Sequence, residues 1–171
     1  MSELQGALSH PQTHAKSNTS QVHNGFQNAY NALAAQITTT VKSQLRSNPA
    51  YSLTVTGHSL GAGMAAIASP ALATLSSKIQ TYTYGEPRNG DEAYAQYIAS
   101  VIPDSKYYRV THANDGVPRI PPSVLGFQHH GSEYWEKETG HNNASTTFVC
   151  GNESTVNFVS SSSLEGRNLL T

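Results

Sequence analysis

The stretch YSLTVTGHSLGAGMAA, residues 51–66, decides the fold class. Residues 51–56 alternate apolar and polar side chains and include β-branched residues, which is typical of a β-strand. The tight turn GHSLG at 57–61 follows, and the apolar, alanine-rich sequence from 62 to 77 predicts a helix. A serine between such a strand and helix sits on a strained turn, with its hydroxyl above the strand ends. The stretch therefore predicts a strand–turn–helix unit with Ser59 as a candidate nucleophile.

Strands and helices alternate on both sides of this unit. Before it, apolar residues recur at helical spacing from Phe26 to Leu45 and predict a core-facing helix. After it, further elements are predicted: strands at 79–84, 107–111 and 148–149, and a helix at 91–100. Pro70 removes a backbone donor, so we expect it to kink or split the helix that follows the serine turn. The alternation predicts an α/β fold with a mostly parallel sheet.

Composition places the chain among small proteins of one domain. Its 171 residues include 10 Lys and Arg against 11 Asp and Glu, and the resulting net charge of −1 argues against a nucleic-acid partner. The single cysteine, Cys150, excludes an internal disulfide. The histidines and acidic residues show no metal-ligand spacing, so we expect neither a metal nor a cofactor. No apolar run is long enough to span a membrane.

The domain organisation is predicted in three parts. We expect a polar lead-in at 1–21, a partial domain at 22–159 and a disordered tail at 160–171. The lead-in lacks the basic start and apolar block of a signal peptide. Three N-x-[ST] glycosylation triplets nevertheless occur, a pattern that secreted proteins share with any chain rich in Ser, Thr and Asn. They begin at Asn18, Asn143 and Asn152.

A nucleophilic serine needs a carboxylate further along the chain to orient its base. In a strand–turn–helix arrangement of this kind the order is serine, then acid, then histidine, with the acid in a loop after a later strand. Asp115 fits, because it follows the strand predicted at 107–111. The alternative is a turn aspartate that bonds its own backbone. Glu86 and Asp91 are weaker candidates, since both follow the preceding strand.

The sequence predicts a single oxyanion donor but leaves the identity of the base open. The backbone N–H of Leu60, at the start of the helix, points to where an oxyanion would form, and the helix dipole adds positive character there. The pattern alone leaves three histidines open as the base: His129, His130 and His141. We therefore assign no catalytic histidine.

Five stretches in a fixed order carry a family resemblance. They are VHNGFQNAY (22–30), YSLTVTGHSLGAGMAA (51–66), YTYGEPRNG (82–90), YYRVTHANDGVPRIPP (107–122) and HHGSEYW (129–135). Together they resemble the fungal class 3 lipase family, and within it most closely the feruloyl esterases. The resemblance implies an α/β-hydrolase fold, a serine-esterase mechanism and an extracellular location. It places Ser59 on the nucleophile, Asp115 on the triad acid and Leu60 on an oxyanion N–H donor.

The resemblance also predicts what this chain does not contain. The family has early strands, a lid and a second oxyanion donor before its VHxGF motif, and nothing in residues 1–21 resembles them. Its catalytic histidine lies near the C-terminus, whereas no histidine follows His141 here. We therefore expect the middle of a family domain, truncated at both ends. Two hypotheses follow: a serine carboxylic-ester hydrolase, or a catalytically dead fragment without the family histidine and one oxyanion donor.

The resemblance extends to partners. It implies an ester substrate, either an acylglycerol or a feruloyl ester, and contact with a lipid interface. Because strands that flank the sheet in the family are missing, we also expect self-association through an exposed sheet edge.

Overall fold

The computed structural model describes residues 12–13 and 20–151. Within these residues the chain forms three α-helices: α1 (Asn24–Ser47), α2 (Leu60–Ala73) and α3 (Glu92–Val101). The strands are β1 (Gln12–Thr13), β2 (Gln21–Val22), β3 (Leu53–His58), β4 (Ile79–Tyr84), β5 (Tyr107–His112), β6 (Glu133–Glu136) and β7 (Thr147–Cys150). Short 3-10 helices lie at Asp104–Lys106, Val117–Arg119 and Ser123–Leu125. The predicted tail, and most of the predicted lead-in, lie outside the described residues.

Five strands form the central sheet in the order β3-β4-β5-β6-β7. Strands β3 to β6 are mutually parallel, and β7 returns antiparallel to β6. The α/β-hydrolase fold class and its mostly parallel sheet are thus confirmed. Because β3 to β6 run the same way, their carboxyl ends share one edge of the sheet, which we call the carboxyl rim.

The helices build the core on one face of the sheet. Helix α2 packs on β3 and β4, and α1 packs on α2. The buried cluster includes Phe26 and Tyr30 of α1, Ile67 of α2, Ile79 of β4 and Tyr107 of β5. Burial of this apolar surface is the main term that stabilises the fold.

The opposite face of the sheet carries a ladder of tyrosines. Tyr82 and Tyr108 stack with ring centroids 4.9 Å apart, and Tyr108 meets Tyr134 at 5.4 Å. These rings are half-buried, whereas Tyr84 on the same face is exposed. Among the described residues no helix covers this face.

Helix α1 starts where the sequence predicts. The imidazole Nδ1 of His23 accepts a hydrogen bond from the Phe26 N–H, so His23 caps the helix. The apolar face predicted to point to the core is buried only in part, because Leu33 remains 45% exposed.

Helix α2 runs through Pro70 without being split, which corrects one expectation. Pro70 cannot donate to the Ala66 carbonyl one turn back, so it costs the helix one hydrogen bond, yet α2 continues for three more residues to Ala73. In the residue before the proline, the Ser69 hydroxyl donates to the Ala65 carbonyl and accepts from Thr81, which ties the helix to β4.

The sheet ends at β3 on one side and at β7 on the other. In the part of the chain that the structure describes, β3 pairs only with β4, so its outer edge is unpaired. The predicted strand at 148–149 is confirmed within β7, the last strand at the other side. It is antiparallel to β6, and among the described residues its outer edge is unpaired as well.

Candidate active site

The serine turn lies between β3 and α2. Ser59 has φ 53° and ψ −121°, a positive φ that costs a residue with a side chain on the order of 1–3 kcal/mol. A Cβ on Gly57 would lie 2.2 Å from the Gly61 carbonyl oxygen, so only glycine lets the helix begin this close to the strand. The local sequence therefore folds into the turn that it predicts.

The N-terminus of α2 presents an open backbone donor beside the serine. The N–H groups of Ala62 and Gly63 donate to the Ser59 carbonyl at 2.9 and 3.1 Å. The Leu60 N–H has no hydrogen bond to any described residue, as expected for the first residue of a helix. The helix dipole makes this end positive, so an anionic oxygen next to Ser59 would be stabilised there.

The loop that carries Asp115 is fastened to the neighbouring strand. Ala113 has φ 42°; its N–H donates to the Glu136 carbonyl at 2.7 Å, and its carbonyl accepts the Trp135 indole N–H at 3.0 Å. Asp115 itself accepts the Val117 N–H through Oδ1 at 2.9 Å. The turn role that was the alternative for Asp115 is therefore present. It uses only one of the two carboxylate oxygens.

Gly85 is where the serine turn and the acid loop meet. The Ser59 N–H donates to the Tyr84 carbonyl at 3.0 Å, which fixes the serine turn to the end of β4. Gly85 has φ 55°, and a Cβ there would lie 2.7 Å from Asp115 Oδ2 and 3.9 Å from His58 Nε2. The second oxygen of Asp115 thus lies against the glycine that follows β4, on the same rim as Ser59.

Directly beyond Gly85, the fully buried carboxylate of Glu86 collects four side-chain hydrogen bonds. Oε2 accepts from Thr83 at 2.6 Å and from Tyr107 at 2.9 Å. Oε1 accepts from Asn89 at 2.8 Å and contacts His130 Nε2 at 3.1 Å. We call this arrangement the Glu86 hub.

Two opposing effects set the pKa of Glu86. Burial raises the pKa, because water no longer solvates the charge. The charge and hydrogen bond of His130, the Thr83 hydroxyl and the Arg109 charge together outweigh burial, so the pKa lies below its usual value. The hub joins residues from β4, β5 and the segment before β6, and it sets the path of the chain next to Gly85.

Both weaker candidates for the acid have structural roles. Glu86 is enclosed in its hub. Asp91 caps α3 by accepting the Tyr94 N–H at 2.8 Å, and its other oxygen accepts the Gln21 N–H at 3.0 Å. Of the three predicted acids, only Asp115 has no such role for its second oxygen, which lies on the carboxyl rim near the serine turn.

None of the three histidines left open as the base hydrogen-bonds Ser59 in the described structure. His129 is buried, and its Nε2 contacts the Pro118 carbonyl at 2.7 Å. Burial lowers the pKa of His129 well below 6.5, and the positive charges of Arg109 and Arg88 add to this effect. His130 belongs to the Glu86 hub, and His141 is exposed in the loop between β6 and β7.

Sequence reasoning missed the residues that hold the site together. The positive φ of Gly85 and its contact with Asp115 were not predicted. A glycine directly after the end of a predicted strand is the sequence signal that points to such a residue. Trp135 was seen only as part of a family motif, since nothing local shows that its indole reaches Ala113. Within the described residues, no group of three metal-ligating side chains occurs. None of the described helices combines the length and apolarity that a membrane crossing needs.

The fold and the serine turn define a class of protein. A mostly parallel sheet, with a strained serine between a strand and the helix that follows, is typical of α/β-hydrolases. A family model described as lipase (class 3) matches residues 2–125. The chain therefore belongs to the class 3 lipase family. The match begins at residue 2, within the predicted lead-in.

Individual relatives are similar over part of their length. The chain is 40% identical over 114 residues to the secreted mono- and diacylglycerol lipase 1 of Fusarium solani, which covers 67% of this chain and 34% of that protein. It is 38% identical over 136 residues to a lipase of Rhizomucor miehei, which covers 76% of this chain and 36% of that protein. The chain spans about a third of the length of these curated relatives.

The chain is also similar to a solved structure. That structure is of a triacylglycerol lipase in which a serine protease triad forms the catalytic centre. The TM-score is 0.73 at 34% identity, over 82% of this chain and 53% of that one.

Proposed function

We propose that this chain forms the nucleophile-bearing part of a serine carboxylic-ester hydrolase. One observation carries the proposal: Ser59 is held at positive φ on the carboxyl rim, next to the unbonded N–H of Leu60 at a helix start. Membership of the class 3 lipase family supports it. The serine triad of the solved lipase supports the same chemistry.

The roles follow from this geometry. Ser59 Oγ would attack the ester carbonyl, and the Leu60 N–H would donate to the oxyanion that forms. Asp115 would orient the imidazole that takes the serine proton, and water would then release the acyl group. Its free Oδ2 lies at the rim, which supports this role.

The base remains the open position of the proposed triad. No described histidine hydrogen-bonds Ser59, so we assign none. Without a base, a serine hydrolase keeps only a small part of its rate, because the oxyanion donors and binding alone still act. A catalytically dead fragment is therefore the alternative outcome of the test below.

The proposed substrates are acylglycerol esters, with feruloyl esters as the alternative. The names of the lipase relatives support acylglycerols. We also propose contact with a lipid interface at the rim. Leu60 follows Ser59 in the chain and Tyr84 accepts its N–H through the backbone carbonyl. They are 42% and 44% exposed, so they offer apolar surface to an aggregated substrate.

The test is hydrolysis of 4-nitrophenyl butyrate, tributyrin and methyl ferulate by the full chain and by Ser59→Ala. Ser52→Ala, at an exposed serine before the opposite end of β3, is the matched control. We expect Ser59→Ala to abolish the measured rate and Ser52→Ala to preserve it. Stoichiometric labelling by a fluorophosphonate, lost only in Ser59→Ala, would report the nucleophile separately from turnover. Equal rates for all three proteins and no labelling would establish the dead fragment.

We further propose an extracellular location and self-association. Secreted relatives support the location. The unpaired outer edge of β3 supports pairing with a second copy, because open backbone donors and acceptors bind other strands. Thr54→Lys and Thr56→Lys place charges on exposed positions of this strand, so we expect them to weaken association and lower the weight-average sedimentation coefficient. A parent chain that sediments as a monomer at all concentrations would contradict self-association.

A further inference from the structure

One motif of the sequence has no role in the proposed catalysis: the triplet Asn143-Ala144-Ser145. It lies in the loop between β6, which ends at Glu136, and β7, which begins at Thr147. All three of its residues are exposed. The triplets that begin at Asn18 and Asn152 lie outside the described residues, so this is the acceptor site whose geometry can be read.

In the side-chain amide of Asn143, the oxygen is hydrogen-bonded and the nitrogen is not. Its Oδ1 accepts the Ser145 N–H at 2.8 Å and the Ser145 hydroxyl at 2.6 Å. A backbone N–H can only donate, so the atom it meets must be the amide oxygen. Nδ2, the atom that carries a glycan, donates no hydrogen bond to any described residue.

The turn around Asn143 would keep its hydrogen bonds after modification. The Asn143 N–H donates to Thr146 Oγ1 at 2.9 Å, and its carbonyl accepts the Thr146 N–H at 3.0 Å and the Thr147 hydroxyl at 2.9 Å. These bonds use the backbone, and the two from Ser145 use Oδ1. A substituent on Nδ2 therefore displaces none of them.

The same contacts are all local. Every partner of Asn143 lies within four residues along the chain. The turn can therefore form on an emerging chain before β6 and β7 pair, which is the stage at which glycan transfer acts on a protein entering the secretory pathway.

We propose that Asn143 is N-glycosylated when the chain passes through a secretory pathway. The inference rests on the proposed extracellular location. The co-reactant is an oligosaccharide joined to a lipid pyrophosphate. In the transfer, a bond forms between Nδ2 and the anomeric carbon of the sugar, the bond from that carbon to the pyrophosphate oxygen breaks, Nδ2 loses one proton, and the lipid pyrophosphate leaves.

The glycan would share the carboxyl rim with Ser59, because the loop that carries Asn143 follows the carboxyl end of β6. Strand β6 is three strands away from β3, about 14 Å at ordinary strand spacing. Glycosylation is read as a change in electrophoretic mobility and ester hydrolysis as a rate, so either proposal can fail without the other.

The experiment secretes the full chain from yeast behind a cleavable leader. The background carries Asn18→Gln and Asn152→Gln, so that Asn143 is the only acceptor triplet. We expect a band that shifts by the mass of one glycan on endoglycosidase treatment, in the cell-associated as well as the secreted protein. Asn143→Gln and Ser145→Ala should abolish the shift, whereas Ser145→Thr and the neighbouring control Asn142→Gln should retain it.

Reading the cell-associated fraction keeps the test independent of folding and export. A background protein whose leader has been removed, and whose mobility endoglycosidase does not change in either fraction, would overturn the proposal. A shift that persists in Asn143→Gln would do the same, because the glycan would then lie elsewhere.

Discussion

Replacing Glu86 tests how the rim is held. The carboxylate is fully buried and takes hydrogen bonds from Thr83, Asn89 and Tyr107 besides its contact with His130. Glu86→Ala removes both acceptor oxygens and leaves these donors facing a cavity. Glu86→Gln keeps the shape: its Oε1 can face Asn89 and His130, while the hydroxyls of the other two partners can turn to accept from its amide.

The structure sets the size of the two effects. Removing one partner from a buried charged pair destabilises by about 3–5 kcal/mol, because the remaining groups lose their partner without regaining water. Small domains are stable by about 5–15 kcal/mol, so Glu86→Ala should lose much of the free energy of unfolding. Glu86→Gln loses charge but not hydrogen-bond count, so we expect a smaller loss of about 1.5–3 kcal/mol.

Urea unfolding followed by circular dichroism measures both changes. With an m-value of about 1–3 kcal/mol per molar urea, the alanine variant should move the midpoint down by more than 1 M. Glu92→Gln, on the exposed first turn of α3, is the control and should shift it little. An alanine midpoint equal to that of the control would refute the argument.

The remaining predictions concern the serine turn, the rim and pH. Gly57→Ala puts a Cβ 2.2 Å from a backbone oxygen, so we expect a melting temperature well below that of the parent. Gly85→Ala pushes against the acid's carboxylate at 2.7 Å, and we expect Ser59-dependent hydrolysis to fall by up to about 10²-fold. His129 has a pKa well below 6.5 when folded, so the unfolded chain takes up a proton that the folded chain does not. Stability should therefore be full above pH 6.5 and fall below it, by at most about 1.4 kcal/mol per pH unit for this group, as urea midpoints between pH 7 and 5 would show.

Each of these changes has a control in the same chain. A Cβ on Gly61 would have no atom within 4 Å, and the residue lies in α2, where alanine is more favourable than glycine. The melting temperature of Gly61→Ala should therefore match or exceed that of the parent. Gly126→Ala has φ 86° with open space around it, so it reproduces the backbone strain of the rim variant without touching the acid. In His129→Gln the urea midpoint should fall less steeply between pH 7 and 5 than in the parent. Equal effects in variant and control would contradict the steric part of the reasoning.

The local parts of this fold could be predicted from sequence. The strand, tight turn and helix around Ser59 are encoded by neighbours a few residues apart, and all three formed in the predicted order. Their bounds shifted: the strand runs over 53–58 and not 51–56, and the helix over 60–73 and not 62–77. Helix α1 was predicted between the correct ends, since its apolar spacing and His23 cap are local too. The loop position of Asp115 followed from chain order alone.

The contacts that join distant segments could not be predicted in this way. Glu86 was a weak candidate acid, and its burial depends on Tyr107 and His130, which are 21 and 44 residues away. Strand β6 was missed, because Glu133–Glu136 has charged ends and becomes a strand by pairing with β5. The residues that decide whether the rim is rigid were therefore the ones that local pattern did not reveal.

The hydrogen bond from Trp135 to the Ala113 carbonyl has a practical consequence. Trp135 is the only tryptophan in the chain. Its indole N–H holds the loop that leads to Asp115, so its emission spectrum is sensitive to that loop without any attached dye. Opening of the loop would expose the indole to water and red-shift the emission, which gives a direct optical signal for motion next to the proposed acid.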